Sequence, residues 1–144
     1  MSQRFHLVNF LRKTKRRLKK TLALFFGSGP ARAPNPYLQE QTIKYQEAKV
    51  ELMETGLFKE IWMFAGWTPV QGEGILTNGQ WFYFRARGEC ASLDIAETPW
   101  EEPYIATFEE VVTPGEQYAA GYLPADKSKK LIVRWVQSYL DSTV

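Results

Sequence analysis

The sequence has one cysteine, Cys90, and one histidine, His6. A single cysteine excludes an intramolecular disulfide and any metal site built from several thiolates of this chain. A single histidine near the N-terminus excludes a Ser-His-Asp or Cys-His arrangement assembled within the rest of the molecule. Cys90 lies in Glu89-Cys90-Ala91-Ser92-Leu93-Asp94-Ile95, which reads as a strand. It is expected there as a small, buried, apolar residue, since no neighbouring base is present to generate a thiolate. The pattern calls for no cofactor and no metal.

Long apolar runs are also missing. Nothing approaches the ~20 residues that a membrane-spanning helix needs. The longest such run near the N-terminus is Leu22-Ala23-Leu24-Phe25-Phe26. A secretory signal is disfavoured because that run falls short of the usual 7 to 15 apolar residues. In addition, Pro30 and Pro34 crowd the small-residue site Ala31-Arg32-Ala33.

Acidic side chains are absent from the first 34 residues, which carry nine Lys or Arg, whereas residues 35–144 carry nine basic and sixteen acidic side chains. The overall charge of +2 therefore joins a segment at +9 to a body at −7. A block of like charge repels itself and gains little from packing on its own, so it points to an anionic partner.

The charged block has helical periodicity. Val8, Leu11, Leu18, Leu22 and Phe25 form an apolar stripe widened by Phe10 and Phe26, and the rest is crowded with Arg12, Lys13, Lys15, Arg16, Arg17, Lys19 and Lys20. This spacing predicts a basic amphipathic helix over residues 1–26. Gly27-Ser28-Gly29-Pro30 and the residues up to Pro34 predict a linker over 27–34.

Residues 35–144 read as an α+β domain. Asn35-Pro36 and Gly56 bracket a helix whose inward residues are expected to be Leu38, Tyr45, Ala48 and Leu52. Phe58 to Phe64 reads as a strand, and Thr68 to Gly74 as a turn-forming loop. Asn78-Gly79 between Ile75-Leu76-Thr77 and Trp81 to Arg87 predicts a hairpin in which both turn residues take positive φ. Cys90 to Ala96 adds a third strand after a turn at Gly88-Glu89. The proline-marked stretch 97–124 is expected to hold one short strand near Thr107 to Val112. A final helix from about Asp126 to Ser142 presents Leu131, Ile132, Trp135, Val136, Tyr139 and Leu140 on one face. The expected architecture is a small antiparallel sheet of at least three strands packed by two helices, with a separate basic helix before it.

Two candidate sites follow. The basic helix suits adsorption in the plane of an anionic membrane through Arg12, Lys13, Lys15, Arg16, Arg17, Lys19 and Lys20, with Leu18, Leu22, Phe25 and Phe26 entering the acyl boundary. The same charges can contact phosphates, which is the RNA- or ribosome-binding alternative. The exposed Leu-Ala-Leu-Phe-Phe run favours a membrane, because it offers nothing to a phosphate backbone. The second candidate is one face of the Trp81–Arg87 strand, where Trp81, Tyr83, Arg85 and Arg87 form a partner-binding surface unless a helix covers the two rings.

Catalysis has weaker support. Glu101-Glu102 and Glu109-Glu110 are paired acids, but neighbours on an extended chain point to opposite faces. Gly72-Glu73-Gly74 lacks the third glycine of a nucleotide-binding loop and precedes a strand. The expectation is a non-enzymatic peripheral membrane protein on the cytoplasmic face, whose acidic aromatic body binds a protein partner.

Overall fold

A computed structural model describes residues 35–143 of the chain. The expected basic helix, the linker and all eleven membrane-binding candidates lie outside these residues. The elements are α1 (Pro36–Glu54), β1 (Phe58–Ala65), β2 (Val70–Leu76), β3 (Trp81–Arg87), β4 (Cys90–Ala96), β5 (Ala106–Val111), a 3-10 turn (Ala119–Tyr122) and α2 (Ala125–Ser142). The strands form one antiparallel sheet in the order β1-β2-β3-β4-β5. The fold is α+β, with five strands where the sequence set a minimum of three.

Both helices pack on the same face of the sheet. Alternation along the strands sends Phe64, Val70, Leu76, Phe82, Phe84, Leu93 and Ile95 into that core, where all are buried. Tyr45 of α1 meets Phe64 edge-on at 4.9 Å, and Trp135 of α2 stacks on Phe108 at 6.1 Å. α2 buries Ile132, Trp135, Val136 and Tyr139, so its expected stripe faces the sheet. α1 buries only Tyr45, Ala48 and Leu52. Leu38, expected to face inward, is 51% exposed.

Two local expectations are corrected. Val70 to Gly74, read as a loop, belongs to β2. Gly74 sits where the β1 backbone comes too close for a side chain. A Cβ on Gly74 would lie 2.2 Å from the Glu60 carbonyl oxygen, beside the two register shifts of β1. The Asn78-Gly79 hairpin is present, but only Gly79 has positive φ, at 87°. Gly79 N–H donates to Leu76 O at 2.9 Å and Leu76 N–H donates to Gln80 O at 2.8 Å. The loop is therefore Thr77-Asn78-Gly79, a turn closed by one left-handed residue, and not a two-residue turn.

Candidate functional site

The second face of the sheet carries no helix among the described residues. Across it the register sets Met63, Glu73, Tyr83, Asp94 and Thr107 in one row and Gln71, Arg85, Ser92 and Glu109 in the next. Ile75, Trp81 and Ala96 close one end, and Arg87, Cys90 and Val111 the other. This is the face on which the sequence places its partner-binding candidates.

The rings are covered, though by a loop and not by a helix. Residues 97–105 fold back from β4, and Trp100 sets its ring 5.1 Å from Trp81 and 4.6 Å from Tyr83. Tyr104 adds a further contact to Trp81 at 6.3 Å. Trp81 is consequently fully buried and Tyr83 nearly so, in a small cluster separate from the main core. Their polar atoms are satisfied: Trp81 Nε1 donates to Glu73 at 2.9 Å, and the Tyr83 hydroxyl accepts from Gln71 Nε2 at 2.8 Å. Burial, then the charge of Asp94, raises the pKa of the Tyr104 phenol.

Trp100 itself remains 58% exposed, and its backbone φ is 59°. It is the one non-glycine residue with positive φ among the described residues. A bulky side chain in the left-handed region carries strain of order 1–2 kcal/mol, and such strain concentrates where a structure holds a group in place for use. Trp62 also presents 47% of its surface, its Nε1 donating to Glu60 at 2.9 Å. Of the four candidates, Trp81 and Tyr83 thus form the floor beneath Trp100. Arg85 is half-buried with its Nε unbonded among the described residues, and Arg87 is exposed. Sequence reading missed Trp100 and Tyr104 as the cover. The available signal was a pair of aromatics flanking Glu101-Glu102-Pro103 in a loop long enough to return over the sheet.

The paired acids do not converge. Glu110 pairs with Arg134 on the helix-bearing side, while Glu109 lies opposite Ser92 on the other face. Glu101 accepts from the Thr98 hydroxyl. Burial, then the charge of Glu109, raises the pKa of the Cys90 thiol, so it is a poor nucleophile at neutral pH. Among the described residues, no group of three or more His, Cys, Asp or Glu is placed to hold a metal ion.

A groove of about 410 Å³ runs between α1 and α2. Trp67 anchors it, 5.6 Å from Tyr37 and 5.3 Å from Tyr122, with its Nε1 donating to Leu123 O at 3.3 Å. Its rim mixes charges, with Lys44 held by Glu40 and Lys129 by Glu51. Among the described residues no helix is long and apolar enough to cross a membrane. Comparison of the chain with protein-family models, with curated proteins and with solved structures gives no match.

Proposed function

We propose that this chain is a non-enzymatic peripheral membrane protein, acting as an assembly or accessory subunit on the cytoplasmic face of an anionic membrane. Residues 1–26 adsorb to the bilayer, and the acidic, aromatic body engages a protein partner. The observation that carries this reading is the division of charge, nine basic and no acidic residues up to Pro34 against nine basic and sixteen acidic beyond it. Each basic side chain near an anionic surface contributes about 1 kcal/mol, and Leu22, Phe25 and Phe26 add apolar insertion. For the body, the support is the sheet face without a helix, on which Trp100 stays more than half exposed in a strained conformation. Fixed exposed aromatics of this kind are the usual anchors of protein interfaces. The RNA alternative loses weight because Trp81 and Tyr83, the rings suited to base stacking, lie beneath Trp100.

Co-sedimentation of the full chain with liposomes tests the membrane half. The chain should pellet with anionic and not with neutral vesicles, and less at high salt. Replacing Leu22, Phe25 and Phe26 by Ser should abolish pelleting while leaving binding to a generic single-stranded RNA unchanged. If the triple variant pellets normally, or the wild type binds RNA and no vesicle, the membrane reading fails.

A further inference from the structure

The body is acidic overall, but its charge is unevenly spread. Between Asp126 and Asp141 the sequence has four basic residues, Lys127, Lys129, Lys130 and Arg134, and no acidic one. Helical spacing divides them. Lys127, Lys130 and Arg134 recur on one flank of α2 and line a groove of about 330 Å³ between that helix and β5, whereas Lys129 turns away and pairs with Glu51. Among the described residues Glu110 is the one carboxylate lining this groove, and it pairs with Arg134. Three cations against one carboxylate leave the groove at +2. Lys127 and Lys130 are exposed and have no ion-pair partner among the described residues. Glu109, Glu116, Asp126 and Asp141, the acids of the flanking segments, do not line it.

The basic side chains on the other two surfaces already described lie among acids. The groove between α1 and α2 sets Lys44 and Lys129 with Glu47, Glu51 and Asp126. The open sheet face sets Arg85 and Arg87 with Glu73, Asp94 and Glu109. Of these three surfaces, only the groove between β5 and α2 is net positive. Its lining also decides what that charge faces. The cores of protein interfaces are enriched in aromatic residues and depleted in lysine. This groove has the reverse, two unpaired lysines and no aromatic ring, and its apolar side chains are aliphatic, with Val111 53% exposed and Leu131 partly buried. Lysine stems beside exposed aliphatic groups, with the ammonium groups beyond them, suit a lipid–water boundary.

We propose that the groove between β5 and α2 is a second membrane contact, where Lys127, Lys130 and Arg134 meet the phosphates of anionic lipid headgroups and fix the orientation of the body on the bilayer. A body at −7 is repelled by the same surface when its acidic faces turn towards it. The groove orients the body, and residues 1–26 anchor it. Trp100 covers the other face of the sheet, so this orientation leaves it clear for the protein partner. The inference rests on the reading that the chain adsorbs to an anionic membrane, and it names the surface of the body that faces the lipid.

The test uses the full chain and vesicles of phosphatidylcholine with or without phosphatidylglycerol. Lys127→Gln combined with Lys130→Gln should weaken partitioning to the anionic vesicles roughly thirtyfold at low salt, about fivefold for each lysine. The unfolding midpoint should not change, because both positions are exposed. Lys127→Arg combined with Lys130→Arg should bind as the wild type does. Lys49→Gln combined with Lys59→Gln removes the same charge away from the groove and should weaken partitioning less than about threefold. In anionic bicelles carrying a gadolinium-chelating headgroup, the amide signals of residues 127–134 should broaden and those of 97–105 should not. Equal losses for the two glutamine pairs would mean that net charge alone acts, and no broadening at 127–134 would place the lipid elsewhere. Either result overturns the proposal. So does binding of hexaglutamate that the groove variant loses while its vesicle partitioning is unchanged, which assigns the groove to an acidic protein segment. A groove variant that partitions like a vesicle-binding wild type overturns this inference alone. A wild type that ignores anionic vesicles overturns the membrane reading with it.

Discussion

Tyr45 offers a direct check on the energetics of the body. Its ring is 1% exposed between α1 and β1, its hydroxyl donates to Leu123 O, and Ser128 Oγ lies 3.1 Å away. Burial pushes the phenol up to about 12 from its usual 10.0, against the smaller opposing effects of the Ser128 and Trp67 hydrogen bonds. The folded state thus holds this proton more tightly than the unfolded chain. The stability so contributed is complete below pH 10 and is lost as pH rises from 10 towards 12. At 1.36 kcal/mol per pKa unit, the loss is roughly 1 kcal/mol by pH 11 and roughly 2 by pH 12. Tyr45→Phe removes the titration together with the hydrogen bonds. The Leu123 carbonyl keeps its donor from Trp67 Nε1 at 3.3 Å, so the neutral-pH penalty should be about 1–2 kcal/mol. Urea unfolding of both proteins, followed by tryptophan fluorescence at pH 8, 9, 10 and 11, isolates the effect because every other tyrosine and lysine is common to the pair. The variant should be less stable at pH 8, and the gap should narrow by roughly 1 kcal/mol by pH 11. A gap that stays constant to pH 11 would refute the argument that burial controls this phenol.

The two strand glycines should behave differently. Gly74→Ala drives a methyl into the Glu60 backbone and should cost about 3 kcal/mol or more in denaturant unfolding, whereas Gly72→Ala meets Phe64 Cδ2 at 3.2 Å, a ring that can shift, and should cost less than half as much. At position 100, Gly should be more stable than Ala by about 1 kcal/mol because φ is 59°, and a more stable Ala variant would rule out a left-handed backbone there. Emission from Trp81 should shift to the red in either variant, since both remove the ring that covers it. Serine at Leu22, Phe25 and Phe26 should remove vesicle binding without changing the unfolding midpoint of the body, measured by thermal denaturation.

Much of the fold was legible because its signals are local. The alternation in Trp81–Arg87, the Gly88-Glu89 turn and the apolar stripe of α2 each follow from residues near one another in sequence. The strand character of Val70–Gly74 was hidden for the opposite reason. Glycines normally signal loops, and here Gly74 answers to the backbone of Glu60, a neighbour known only once the sheet is assembled. Leu38 misled too, since helical spacing gives a face but not how much of it is covered. For the candidate surface, the sequence correctly separated Trp81 and Tyr83 from Phe82 and Phe84. It could not reveal that a loop would return Trp100 onto those rings, because that depends on the path of nine irregular residues.

The acids of the body are difficult to explain by stability alone. The described residues contain three ion pairs, Lys44–Glu40, Lys129–Glu51 and Arg134–Glu110, each with at least one well-exposed member. Pairs of this kind contribute about 0–1 kcal/mol. Most of the sixteen acidic side chains in residues 35–144 therefore do little for the fold through ion pairing, and their mutual repulsion opposes compaction. Several accept hydrogen bonds from neutral donors, as Glu73 does from Trp81 and Asp94 from Thr107.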